Sequence, residues 1–168
     1  MGGRYVPEDT PVGCLPVERA GSTPPLELFA EMIAGRLPMP PIARLMNFRL
    51  AAAREGFAEF RGAPLFDHYN PIGVVHGGWA STILDSALGC AVHTRLPVGM
   101  AYTTVEFKVN LVRPLTSETG EVVCRGEVVH FGRTMAVSEA RLTSPDGARL
   151  YALGTETCAI FPFERTRR

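Results

Sequence analysis

The sequence lacks the features that mark several large classes of protein. Its 17 Lys and Arg residues are balanced by 17 Asp and Glu residues, without the basic excess typical of nucleic-acid-binding domains. No apolar run approaches the roughly 18 residues of a membrane-spanning helix. The four cysteines and four histidines show none of the close pairing that disulfide frameworks and zinc sites use. We therefore expect no nucleic-acid partner, no membrane partner and no bound metal.

What remains is typical of one globular domain. The chain has 168 residues, of which 46% are hydrophobic, and this is enough for a substantial core. Its first residues lack the basic start and apolar stretch of a signal peptide, so we expect a cytoplasmic protein with reduced cysteines. Cys90, Cys124 and Cys158 fall in predicted helices or strands, where packing is the ordinary role of a thiol.

The most informative segment covers residues 70–89. His76, Gly77 and Gly78 open an apolar stretch whose hydrophobic residues recur at intervals of three and four, which predicts a helix. The glycines let a ligand approach the unpaired amides at the start of that helix, where the helix dipole favours negative charge. Asp85 lies inside the apolar stretch, and a carboxylate there is costly unless it is paired, hydrated or used. Together these features predict acyl-transfer chemistry.

Strand patterns flank the predicted helix. Two short alternating segments, residues 48–51 and 56–62, precede it and are joined by a turn. Four longer strands are predicted after it, over residues 102–112, 121–131, 134–143 and 149–161. Because the connections are short, the sheet should be antiparallel. The predicted fold is therefore α+β, a curved antiparallel sheet wrapped around a long central helix, with an extra helix near the N-terminus.

Three segments divide the chain. Residues 1–25 contain five prolines and are predicted to form an extended, partly disordered arm. Residues 26–41 are predicted to form a short helix with one apolar face, followed by a proline-rich linker. Residues 42–163 are predicted to form the main domain, which carries the glycine-rich motif and the acid.

The spacing of the motif bears on the number of subunits. Gly77 and Asp85 are eight residues apart, about 12 Å along a helix that rises ~1.5 Å per residue. Oxyanion donors and a base must both lie about 3 Å from the reacting atoms, so one carbonyl cannot contact both residues of one chain. Either one of the two is inert, or the site combines Gly77 of one chain with Asp85 of another. The second case predicts an obligate homodimer, paired further into a homotetramer.

The pattern Asn-x5-His-Gly-Gly-x6-Asp over residues 70–85 resembles the active-site motif of the hotdog-fold thioesterases, in particular their PaaI-like acyl-CoA branch. The resemblance covers roughly residues 45–161 and includes the segments 102–107, 111–114 and 128–134. It implies the hotdog fold and hydrolysis of an acyl-CoA thioester. It also implies no cofactor, because the CoA is part of the substrate.

The resemblance assigns roles to five residues. Gly77 matches the amide that binds the oxyanion, and Asp85 matches the catalytic carboxylate, as a general base on water or as a nucleophile. Asn70 and His76 match polar groups around the thioester, and Thr104 matches a hydroxyl that positions water. Plainer alternatives stay open: an Asn-Pro turn, a histidine that orients the loop, and a strand threonine that only packs.

Four further residues are candidates for substrate binding. Gly78 would allow close approach of the substrate, and Trp79 would line the acyl channel or pack in the core. Arg113 and Arg133 would contact the phosphates of CoA or be solvated surface residues.

Two positions distinguish this chain from other branches of the fold. Members of the 4-hydroxybenzoyl-CoA type carry a hydroxyl residue one turn after their acid, where this chain has Gly89, so Thr104 is the better candidate for positioning water. The hotdog hydratases use an Asp-x4-His motif, and Cys90 stands where that histidine would be. The alternative outside enzymes is a non-catalytic acyl-CoA or lipid-binding protein, which would have no need for Asp85.

Overall fold

The computed structural model describes residues 4–164, and residues 1–3 and 165–168 lie outside the described part. Six strands form one antiparallel sheet in the order β1-β2-β4-β5-β6-β3. The strands are β1 (Phe48–Arg54), β2 (Phe57–Gly62), β3 (Met100–Leu111), β4 (Val122–Phe131), β5 (Met135–Thr143) and β6 (Leu150–Pro162). The helices are α1 (Val17–Ser22), α2 (Pro25–Ile33), α3 (Pro41–Leu45) and α4 (Gly77–His93). The predicted α+β hotdog arrangement is confirmed.

Helix α4 forms the centre of the core and packs against every strand of the sheet. Its apolar residues are buried as the periodicity predicts: Trp79, Ala80, Ile83, Leu84, Ala87, Leu88, Ala91 and Val92. Gly126 on β4 lies directly against this helix. A Cβ at that position would collide with the carbonyl oxygen of Ala87, so only glycine lets the sheet approach α4 this closely.

The predicted strands are confirmed, with ends displaced by a few residues. The β1–β2 hairpin turns at Gly56, whose φ of 72° lies in the left-handed region that glycine adopts without strain. The turn before β6 is closed by a hydrogen bond of 2.9 Å from the Gly147 N–H to the Ser144 carbonyl.

The N-terminal region contains more structure than the sequence predicts. Helix α2 begins at Pro25 and ends before Gly35, whose φ is 71°. Helix α1 lies within residues 1–25, for which an extended conformation is predicted, and Arg19 on α1 forms an ion pair with Glu31 on α2 at 2.9 Å. Helix α3 has only five residues and was not predicted, because it begins within the proline-rich linker.

Asn47 holds the chain preceding α1 against the main domain. Its side-chain oxygen accepts hydrogen bonds from the backbone N–H groups of Tyr5, at 2.6 Å, and Val6, at 3.2 Å. Its side-chain nitrogen donates to the Ala63 carbonyl at 2.8 Å. Val6 is 1% exposed. The described part of the predicted arm is therefore packed onto the domain, at the edge where α2 and β1 meet.

Candidate active site

The glycine-rich motif forms the start of α4. His76 caps the helix, because its Nδ1 accepts a hydrogen bond of 2.8 Å from the Gly78 N–H. Among the hydrogen bonds of the described residues, none uses the N–H of Gly77. A Cβ at Gly77 would lie 2.6 Å from a methyl carbon of Leu111, so the end of β3 packs closely on this position. The motif therefore leaves one backbone donor open at the positive end of the helix.

Asn70 shapes the loop that leads into α4. Its side-chain oxygen accepts hydrogen bonds from the N–H groups of Ile72, at 3.1 Å, and Val74, at 3.3 Å. This is the turn-forming arrangement typical of asparagine. The loop is tied down further by a hydrogen bond of 2.8 Å from the His76 N–H to the His68 carbonyl. Asn70 thus acts on the site at least through the position of the loop.

A cavity of about 290 Å³ adjoins the start of α4 and is called the Gly77 cavity below. Its lining includes Asn70, His76, Gly77, Leu111 and Arg113. The structure therefore brings four of the predicted site residues around one cavity, with the open Gly77 donor among them. Asp85 and Thr104 are not part of this lining.

Asp85 lies two turns further along α4 and borders a different cavity, of about 450 Å³, called the Asp85 cavity below. The side chain is solvent-exposed in the single chain, and no hydrogen bond or ion pair joins it to any residue of the described range 4–164. Desolvation by the surrounding apolar atoms raises the pKa of this carboxyl. A carboxylate with no partner and a raised pKa is a stronger base than one paired with a cation.

The walls of the Asp85 cavity are mainly apolar and come from the N-terminal part of the chain. The lining includes Val6, Phe29, Met32, Ile33, Leu37, Phe48 and Phe60. Tyr5 also lines the cavity and lies 5.3 Å from the guanidinium carbon of Arg49, measured from the ring centroid. The N-terminal arm, which lies outside the motif, therefore forms part of the wall of the Asp85 cavity.

Thr104 contacts a carboxylate that sequence reasoning missed. Its hydroxyl donates a hydrogen bond of 2.8 Å to Oε1 of Glu156 on β6, and the thiol of Cys158 donates to the same oxygen at 3.0 Å. Glu156 is 0% exposed. Burial raises the pKa of Glu156, and the negative charge of Asp85 adds to the effect. The alternation of β6 could have revealed this residue, because it places Glu156 on the inward face with Cys158.

Tyr102 explains the glycine at position 89. A Cβ at Gly89 would lie 2.7 Å from the hydroxyl oxygen of Tyr102, so the phenol occupies the space that a side chain there would need. The Tyr102 ring borders the Asp85 cavity together with Cys90. Burial raises the pKa of the Cys90 thiol to about 12, so this thiol stays protonated and its packing role stands.

The remaining predicted residues are dispersed. Trp79 is 1% exposed and its indole N–H donates to the Met46 carbonyl at 2.7 Å, as expected of a core residue. It also borders, with His76 and Gly78, a third cavity of about 610 Å³. Arg133 lies in the β4–β5 turn, next to the end of β6, whereas the Gly77 cavity adjoins the start of that strand. In one chain, Arg133 is therefore far from Gly77.

The described residues, 4–164, hold neither a metal-ligand cluster nor a membrane-spanning helix. No group of three or more His, Cys, Asp or Glu side chains in that range is arranged to hold a metal ion. No helix within it is long and apolar enough to cross a membrane.

Comparison with known proteins gives matches of one kind. The family model described as the thioesterase superfamily matches residues 72–151, which include His76, Gly77, Asp85 and strands β3 to β5. A crystal structure of a thioesterase family protein from Silicibacter pomeroyi is 30% identical, with a TM-score of 0.68, and the match covers 80% of this chain and 98% of that one. A Ralstonia eutropha structure described as a phenylacetic acid degradation-related protein is 25% identical, with a TM-score of 0.69, over 78% of this chain and 98% of that one.

A curated relative matches over a shorter stretch. A proposed esterase from Halobacterium salinarum is 35% identical over 83 residues, which is 48% of this chain. The match spans about half, 53%, of that relative's own length.

Proposed function

This chain belongs to the thioesterase superfamily, and from that membership we propose that it hydrolyses an acyl-CoA thioester to the free acid and CoA. One observation carries the proposal: Asp85, an acid without a partner among residues 4–164, faces an apolar cavity of about 450 Å³ from the central helix. Apolar surroundings raise the pKa of an unpaired carboxylate, which makes it a stronger base at an active site.

The proposed reaction uses Asp85 as the general base. Asp85 takes a proton from a water molecule while the water oxygen bonds to the thioester carbonyl carbon, and the carbonyl electrons move onto its oxygen. The N–H of Gly77 donates to that oxyanion. The carbonyl then reforms, the carbon–sulfur bond breaks, and the CoA thiolate leaves and takes up a proton. The raised pKa of Asp85 supports this role, because a stronger base removes the proton of water more readily.

Each complete site is proposed to need two subunits. Gly77 and Asp85 border different cavities of one chain, as their spacing along α4 requires. Strand β3 is an edge strand of 12 residues, and Val105 and Leu111 on it are 61% and 59% exposed. An edge of this length with exposed apolar side chains favours pairing with another strand. We therefore place a partner's Gly77 opposite Asp85 in a homodimer, with further pairing into a homotetramer.

The Asp85 cavity favours an acyl group that is apolar. Its lining is dominated by aliphatic and aromatic side chains, and its volume falls within the usual range of small-molecule sites. A medium-chain or aromatic acyl group suits such walls, because burial of apolar surface supplies the binding energy. Arg113, which borders the Gly77 cavity, is the proposed contact for the phosphates of CoA.

Thiol release with a chromogenic reagent tests the proposal. Wild type and Asp85→Ala are compared on short, medium, long and aromatic acyl-CoAs, and Glu139→Gln, an exposed carboxylate on β5, is the control. We expect turnover by wild type and the control, highest on medium-chain or aromatic substrates. Loss of the base should lower kcat by about 10²- to 10⁴-fold.

Two results would contradict the proposal. Full activity of a folded Asp85→Ala variant would remove Asp85 from the chemistry. Saturable binding of acyl-CoA without thiol release by wild type would identify a binding protein instead.

A further inference from the structure

Glu156 is a buried acid whose position the proposed reaction does not yet explain. It is 0% exposed, and both of its hydrogen-bond donors among the described residues, Thr104 and Cys158, donate to the same oxygen, Oε1. The other oxygen, Oε2, has no hydrogen-bond partner among the described residues. Ser138 faces Glu156 across the β5–β6 pairing, and its buried hydroxyl also lacks a partner among residues 4–164. An ionised carboxylate in such a place is costly, so a specific use is expected.

The register of β3 and α4 places Thr104 opposite the turn that carries Asp85. The hydroxyl of Tyr102 lies against Gly89 of α4, and Thr104 follows two residues later on the same face of the strand. Gly77 meets Leu111, so the strand and the helix run in opposite directions. Asp85 is close enough to Glu156, the hydrogen-bond partner of Thr104, for its charge to raise the pKa of Glu156, so Thr104 and Asp85 lie in one neighbourhood.

The hydrogen bond to Glu156 decides how the Thr104 hydroxyl can act. A threonine hydroxyl has one hydrogen to donate and two lone pairs that accept. Because its hydrogen is directed to Glu156 Oε1, only the lone pairs remain for a molecule on the exposed side of β3. Thr104 can then accept a hydrogen bond from water but cannot donate one to it, nor to Asp85.

We propose that Glu156 is a positioning residue, which fixes the Thr104 hydroxyl so that its oxygen accepts one hydrogen of the attacking water while Asp85 takes the other. This inference rests on the proposed thioesterase function. When Thr104 and Asp85 each accept one hydrogen of the water, a lone pair of its oxygen is directed to the thioester carbonyl carbon. Holding a reactant in one orientation is a principal source of rate in enzymes, and this pair of strand residues supplies it.

The surroundings of Glu156 disfavour its charged form. Oε1 accepts from two donors, and Oε2 has no partner among the described residues. The titratable groups around it are Asp85 and Cys90 on α4, Tyr102 on β3 and Cys158 on β6, and none is a cation. Burial raises the pKa of Glu156, and the negative charge of Asp85 raises it further.

A double-mutant cycle tests the assignment. Glu156→Met removes the acceptor with similar volume, Glu156→Gln keeps a neutral acceptor oxygen, and Thr104→Val removes the hydroxyl. We expect Glu156→Met and Thr104→Val each to lower kcat by about tenfold with little change in KM, and Glu156→Gln to stay within about threefold of wild type. In the double variant Thr104→Val/Glu156→Met the loss should equal that of Thr104→Val.

A purely structural role would move stability, not this pattern in kcat. Full kcat in folded Glu156→Met, or effects that multiply in the double variant, would overturn the inference. If Glu156→Met does not fold, Glu156→Gln decides, because a loss as large as that of Thr104→Val would show that neutral acceptance is not the role. A wild-type protein that releases no thiol defeats the proposed function itself, whereas active wild type with uncoupled variants defeats only the positioning role.

Discussion

The two regions of α4 that bear on the proposed reaction differ in the chemical group that they supply and in what surrounds it. At the start of the helix, a loop ordered by Asn70 and His76 leaves the N–H of Gly77 open to a cavity of about 290 Å³. Two turns later, Asp85 faces apolar walls and has no partner within residues 4–164. One region supplies a hydrogen-bond donor for developing charge, and the other supplies a desolvated base. In one chain the two residues are too far apart to contact the same carbonyl, so under the proposed shared site α4 carries halves of two different sites.

At the donor half, the largest effect is expected from loss of the Gly77 N–H. Gly77→Pro removes the N–H at the first position of a helix, where proline otherwise fits, and His76 already has the extended backbone that precedes proline. Loss of one oxyanion donor should lower kcat by about 10²- to 10³-fold. The measurement is thiol release at saturating substrate, with circular dichroism to verify that α4 is retained.

Gly77→Ala is the matched control for this change. Its Cβ approaches the same methyl carbon of Leu111, at the flexible end of a side chain, but its N–H remains. We expect the alanine variant to keep most of its activity. Equal losses in the two variants would show that crowding against Leu111, rather than the donor, determines activity.

Mixed dimers test directly whether the halves come from different subunits. One subunit carries Asp85→Asn, the other Gly77→Pro, and differently tagged chains are co-purified so that only heterodimers remain. If each site combines residues of two chains, one of the two sites is intact, and about half of the wild-type activity per dimer should return. Size-exclusion chromatography with light scattering checks the assembly.

The opposite arrangement predicts a different result for the same sample. If each chain holds a complete site, both sites of the heterodimer contain a defect, and activity stays as low as in the single variants. An active monomer would contradict the shared site as well.

The sequence predicts the start of α4 better than it predicts the surroundings of Asp85. The loop and the start of α4 are built by neighbours in sequence, so the motif of residues 70–85 predicts unpaired amides at the glycines and allows a histidine that orients the loop, which the structure shows as the cap His76. The strands were also predictable, because alternation of apolar residues directly reflects burial. Interactions between neighbouring residues can therefore be predicted from a short stretch of sequence.

The Asp85 cavity left no such signal, because its parts are distant in sequence. Val6 is held at the cavity by a hydrogen bond from its N–H to the side chain of Asn47, and no residue near Val6 in the sequence indicates that contact. Glu156 joins Thr104 across 52 positions of the chain, through the pairing of β3 with β6. Long-range contacts follow from the register of the sheet, which the pattern of one strand does not determine.

The smallest effect concerns stability, and its sign separates Asp85 from an ordinary surface acid. Desolvation raises the folded-state pKa of Asp85, so its contribution to stability is fully present below the unfolded pKa, about 3.9, and is lost as pH rises through the folded pKa. Asp85→Asn should therefore raise Tm slightly at neutral pH and leave it unchanged in acid, while activity is lost.

Asp146 provides the comparison of opposite sign, measured by the same thermal unfolding at neutral and acid pH. Hydrogen bonds from the Ser144 hydroxyl and the Ala148 N–H lower the pKa of Asp146, so its stabilising contribution is present above the unfolded pKa and is lost as pH falls. Asp146→Asn should lower Tm slightly at neutral pH, in contrast to Asp85→Asn. If both variants shift Tm in the same direction, Asp85 is solvated like any exposed carboxylate. The description of Asp85 as a desolvated base would then be wrong.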